Sequence, residues 1–202
     1  MLGLPASTEI RKVITKKKVF EHFGAEMRAE RRKSFDADIA RITLVNEISP
    51  ASVNIAAGET VSAFFVMLVS LRRKDADRQN ISFLPQMFGQ KLLMVLEYGQ
   101  QQCLAVWQTR LILNPWSAPD TLRVELNGLD LDKVWENIVA GLAGVQVAQG
   151  TTLEEQLAQA QQRDKLQKEI AKLEKLAWAE IQPKRKYELM QRISKLKLKE
   201  GE

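Results

Sequence analysis

"TVSAFFVMLVSLR", Thr60 to Arg72, decides the fold of this chain. It is rich in β-branched and aromatic residues, and both sets of alternating positions are apolar for most of its length. Side chains alternate across a strand, so a strand of this kind is covered on both faces and lies in the middle of a sheet. Its apolar run, Val61 to Leu71, is too short for a bilayer, which needs about 20 such residues.

Toward the C-terminus, "RKDADRQN" reads as a charged loop and "ISFLPQMFGQ" as a short helix with Pro85 in its first turn. "KLLMVLEY" and "CLAVWQTRLIL" read as two strands of a hairpin joined through "GQQQ". "TLRVELN" predicts a further short strand. "DLDKVWENIVAGLAG" predicts an amphipathic helix capped by Asp130, with Val134, Trp135, Ile138, Val139 and Leu142 on its apolar face. Toward the N-terminus, "SPASVNIAAGE" is turn-rich. "AEMRAERRKSFDADIARI" predicts a helix with Met27, Phe35, Ile39 and Ile42 apolar, and "TLVNEI" fits either its end or a strand. "EIRKVITKKKVFEHF" predicts another helix, with Ser7 or Thr8 as its cap. Residues 1–145 therefore read as an α/β domain of the α+β type, a mostly antiparallel sheet with flanking helices.

After the linker "VQVAQGTT" the composition shifts to Leu, Ala, Gln, Glu and Lys. Leu166, Ile170, Leu173 and Ala177 are spaced by 4, 3 and 4 residues, a coiled-coil-like seam. Pro183 interrupts it, and Leu189, Ile193 and Leu196 resume at spacings of 4 and 3. Residues 146–202 thus predict an antiparallel helical hairpin. Trp178 and Tyr187 fall near its tip, where they are expected to pack across the turn.

Apolar residues make up 45% of the 202, enough for a core. The single Cys103 excludes an intrachain disulfide and a cysteine metal cluster, and reads as a buried, inert thiol in a reducing cytoplasm. The N-terminal stretch has no apolar run behind a basic one, so no signal peptide is read there and a soluble, cytoplasmic protein without membrane contact is expected. Histidine occurs once, as His22, which leaves no His-based zinc site. No phosphate-cradling glycine loop and no nucleophile elbow is present. No catalytic, metal or cofactor residue is assigned.

The order of elements raises a metal-dependent nuclease of the restriction type, in which carboxylates on adjacent strands hold Mg²⁺ beside a lysine. The chain contains no Glu-x-Lys or Asp-x-Lys, and "FFVMLVSL" carries no acid. Asp36 and Asp38 read more simply as a polar helix face. The net charge of +5 gathers at the two ends. Lys16, Lys17 and Lys18, then Arg31, Arg32 and Lys33, then Lys184, Arg185 and Lys186 form three basic clusters able to hold phosphates.

"LPASTEIRKVITKKKVFEHF", "SFDADIARITLVNEISPASVNI" and "EIQPKRKYELMQRISKLK" together resemble the bacterial family called domain of unknown function 4391. The shared features are a Leu-Pro-x-Ser-Thr-Glu opening, an Asp-Ile pair followed by an Asn and a Pro-x-x-x-Asn turn, and a Lys/Leu-rich closing helix. Members often have Pro where this chain has Thr15, and acids in the strand that here reads "FFVMLVSLRRK". The resemblance implies a prokaryotic protein without an established activity, encoded beside helicases and DNA methyltransferases of restriction-like phage-defence loci. It points to a noncatalytic accessory subunit docking on such a partner, or on a second copy of itself. Leu166, Ile170, Leu173, Trp178, Tyr187, Leu189, Ile193 and Leu196 are the interface candidates. Nucleic-acid binding through the basic ends is the second reading, and a divergent nuclease the third.

Overall fold

A computed structural model describes residues 2–22, 28–146 and 151–200. Met27, the His22 side chain and residues 147–150 of the linker lie outside the described residues. The chain divides into two compact units, Met1–Gly144 and Val145–Glu202.

The first unit is built on one six-stranded sheet whose spatial order follows the chain: β1 (Glu9–Ile14), β2 (Ile39–Ile48), β3 (Phe64–Leu71), β4 (Leu92–Tyr98), β5 (Gln101–Trp107) and β6 (Leu111–Leu113). Every neighbouring pair is antiparallel except β3 and β4. A single turn, α3 (Pro50–Val53), lies between β2 and β3, and helix α4 (Arg78–Phe88) joins the parallel pair, because parallel strands need a long crossover. The fold is thus of the mixed α+β class, with β3 in the interior as its sequence requires.

Alternation sorts the β3 side chains onto two faces. Met67 and Val69 join Ile42, Leu92, Met94, Cys103 and Ala105 in a core covered by α1 (Lys16–His22), α2 (Ala29–Asp38) and α4. Phe35 of α2 is fully buried at its centre, with edge-to-face contacts to Phe20 at 5.9 Å and Phe83 at 6.3 Å. Phe64 points the other way, to Trp135 of α5 (Leu131–Ala143), with ring centroids 5.3 Å apart. Asp130 caps α5 by accepting from Lys133 N at 2.8 Å, as its sequence predicts. Cys103 is buried, and burial pushes its thiol up to about 12, so it stays a neutral, inert group.

Five local expectations are corrected. Glu9–Ile14 is an edge strand, and helix α1 begins only at Lys16. Ser7 and Thr8 cap no helix; they lie in a 3-10 turn, where Ser7 Oγ donates to Ser52 O and buried Asn46 donates to Thr8 Oγ1. Ile39 and Ile42, expected on a helix, lie on β2, and "TLVNEI" continues that strand. "TLRVELN" forms no strand; Val124 N donates to Leu2 O instead. Pro85 sits in the last half of α4 rather than its first turn. Asp77 caps that helix and left-handed Gly89 ends it.

The second unit consists of α6 (Leu153–Ala179) and α7 (Pro183–Glu200). Thr152 and Glu155 form a reciprocal capping box at the start of α6. The chain leaves the helical state before Pro183, as residues preceding proline do, and Pro183 then opens α7, where its missing N–H costs nothing. The three-residue connection between the helices reverses the chain into an antiparallel hairpin. Arg192 pairs with Glu169 and Lys197 with Glu174, both at 2.8 Å, at the two flanks of the seam.

Candidate partner interface

The seam predicted from heptad-like spacing forms inside the hairpin itself. Ile170, Leu173, Ala177 and Ile193 are buried together, and Leu166, Leu189 and Leu196 pack against them. Six of the eight interface candidates are therefore occupied by the hairpin's own packing.

Trp178 and Tyr187 are not. The structure corrects the expectation that they pack across the turn: Trp178 is 83% exposed and Tyr187 65% exposed. Successive helical residues are about 100° apart, so once Ala177 takes the seam position, Trp178 must point away from it. Ile181 in the connection is 92% exposed and Met190 54%. Sequence reasoning missed both, although Ile181 beside Pro183 offered a signal, because an apolar residue in a three-residue turn has no helix face to join. A groove of about 390 Å³ is lined by Ala177, Trp178, Met190 and Ile193, together with Lys186 and the Glu174–Lys197 ion pair.

The basic clusters divide. Lys184, Arg185 and Lys186 are exposed at the start of α7, as are Lys17, Lys18 and Lys33 in the first unit. Lys17 lies near Glu21 on its own helix. Lys16 is ion-paired to Asp36, joining α1 to α2. Arg31 donates to Gln79 O at 3.0 Å and lies over Phe83, joining α2 to α4, while Arg32 lies over Phe20. These three cations hold helices together, so the N-terminal half of the predicted phosphate surface is only partly displayed.

Asp38 belongs to no polar helix face. It is fully buried, and its carboxylate accepts from Arg73 Nε, from Asp77 N at 2.9 Å and from Asn80 Nδ2 at 2.7 Å. Burial alone would raise its pKa, but these three donors outweigh it and hold the carboxyl below the ordinary value of 3.8. Asp38 thus ties the end of α2 to the end of β3 and the start of α4. With its lone pairs directed at a guanidinium and two N–H groups, it is a structural clasp. Among the described residues, no three His, Cys, Asp or Glu side chains are grouped to hold a metal ion.

A second clasp joins α5 to the loop before β3. Asp132 accepts from Thr60 Oγ1 and from the backbone N–H groups of Glu59, Thr60 and Val61 at 2.7–3.2 Å. The Thr60 hydroxyl is the main cause of its lowered pKa. Gly58 makes room for it, since a Cβ there would lie 2.2 Å from Asp132 Cγ and 2.7 Å from its backbone nitrogen.

No helix among the described residues is long and apolar enough to cross a membrane. No curated protein and no solved structure matches the chain. The family model described as Domain of unknown function (DUF4391) matches residues 2–199, across both units, and the chain belongs to that family.

Proposed function

We propose that the protein is a noncatalytic accessory subunit whose hairpin docks on a larger protein. One observation carries this reading: the hairpin satisfies its own seam and still presents Trp178, Ile181, Tyr187 and Met190 to solvent. Trp178 and Met190 share one groove; exposed apolar groups that share a surface mark contact sites, and aromatic anchors dominate interface energetics. The family resemblance supplies the finer proposal, that the partner is a helicase or DNA methyltransferase of a restriction-like anti-phage defence complex in the bacterial cytoplasm.

The test is capture of the tagged full chain from its native host, beside a Trp178→Asp/Ile181→Asp double variant with unchanged circular dichroism. A stoichiometric helicase or methyltransferase, absent with the double variant, is the expected result. Equal recovery with both forms would sink the reading. Nuclease-sensitive nucleic acid without a protein partner would favour the second reading, for which exposed Lys184, Arg185 and Lys186 beside Trp178 and Tyr187 supply cations and stacking surfaces. Such binding would weaken steeply with salt.

A further inference from the structure

We infer that the groove between α6 and α7 receives an acidic amphipathic helix of the partner. The inference rests on the docking reading and specifies the chemistry that docks. The floor of the groove is apolar, formed by Ala177, Trp178, Met190 and Ile193, and it lies between two helices. Such a trough accepts a ridge of apolar side chains at helical spacing. One of its two walls is strongly basic. Helix α7 carries seven Lys/Arg against two Asp/Glu, whereas α6 carries five of each. The net +5 of α7 equals that of the whole chain. A helix laid in the groove passes exposed Lys186, with Lys184 and Arg185 beside it in sequence and also exposed, and carboxylates on its flanks complement that excess; Lys197 is held by Glu174 and adds nothing to it.

Two other occupants fit less well. A second copy meeting this one about a two-fold axis would bring the same patch against itself, basic α7 against basic α7. A nucleic-acid strand would meet the same cations but leave the apolar floor of the groove unmatched along its phosphates, whereas a helix fills it with side chains.

The probe is a fluorescein-labelled designed helix with Leu at positions i, i+3, i+4 and i+7 and Glu on both flanks. Its control carries Lys in place of Glu. Fluorescence anisotropy with the full chain is expected to show the Glu helix binding at least about tenfold more tightly than the Lys helix. Trp178→Ala is expected to weaken the Glu helix about thirtyfold, the loss typical of a central aromatic anchor. Lys186→Gln reduces the preference for Glu over Lys, and Lys186→Glu reduces it further. Both positions are exposed, so folding is preserved in all three variants, and circular dichroism checks this.

Equal binding of the two helices, or binding of neither, overturns the inference. So does tighter binding of a single-stranded oligothymidylate than of the Glu helix, or self-association by light scattering that Trp178→Ala abolishes. The two levels fail separately. A partner whose capture needs Trp178 and Ile181 but ignores Lys186→Glu leaves docking intact and removes the acidic helix. A capture indifferent to Trp178 and Ile181 removes docking itself.

Discussion

The two units spend their large apolar side chains in opposite ways. In the first, Phe35, Phe64 and Trp135 are buried, and both faces of β3 are covered. In the second, a seam of seven small and medium side chains closes the hairpin, and the large ones, Trp178 and Tyr187, stand outside it. Burying an aromatic side chain contributes several times the thermal energy, so evident display in one unit beside full burial in the other separates a scaffold from a surface that awaits a partner. The same contrast holds for charge. The first unit turns Asp38, Asp132, Lys16 and Arg31 inward as clasps between elements. In the second, Lys184, Arg185 and Lys186 face solvent.

The sharpest way to break this comparison is Phe35→Ala. Phe35 has no exposed surface and two aromatic neighbours that cannot close the void, so the loss is about 4 kcal/mol by denaturant unfolding. A loss under about 1 kcal/mol would mean that the α2 side of the sheet is loosely packed and the contrast overstated. Asp38→Ala ranks next, at about 3 kcal/mol, because Asn80 Nδ2 and Asp77 N lose their acceptor in a buried place. Its pH dependence has a defined sign. The folded carboxyl lies below the ordinary 3.8, so its contribution is complete above about pH 4 and is lost as pH falls through the lowered folded value. Asp132 and Asp36 are lowered too, by the Thr60 hydroxyl and by Lys16 respectively, and act in the same direction. Stability of the native chain should therefore fall on acidification below pH 4, and Asp38→Asn should flatten that limb.

The covered central strand was legible because β3 is apolar at consecutive positions, which few other elements tolerate. The hairpin was legible because its seam keeps one spacing on both sides of a proline. Three features hid the rest. β2 contains irregularities between Ile39 and Arg41 and between Leu44 and Asn46, so its inward residues Ile39 and Ile42 fall three apart, as on a helix. "TLRVELN" shows the reverse: Leu122 and Val124 are buried in alternation, yet it belongs to no sheet, and Val124 bonds to Leu2 where a strand would have a ladder. Alternation records which side faces the core and does not supply a ladder. Asp38 was hidden for a third reason, since Arg73, Asp77 and Asn80 lie 35 or more residues away and only the fold brings them to it. At the candidate interface, the seam residues were legible as a set, but whether they closed on each other or on a partner depended on the turn.

The smallest effects decide whether the hairpin surface is display or structure. Ile193→Ala removes a buried side chain from the seam and should cost about 2 kcal/mol, at the low end for such a change because a two-helix seam relaxes readily. Trp178→Ala removes a larger side chain that is 83% exposed and should change stability by less than about 0.5 kcal/mol. Thermal unfolding of the two variants side by side gives the answer. If Trp178→Ala costs as much as Ile193→Ala, the indole is structural, and the docking proposal loses its anchor. If it costs nothing, its retention at the tip of a closed hairpin is unexplained by folding, and contact with another molecule becomes the reason for it.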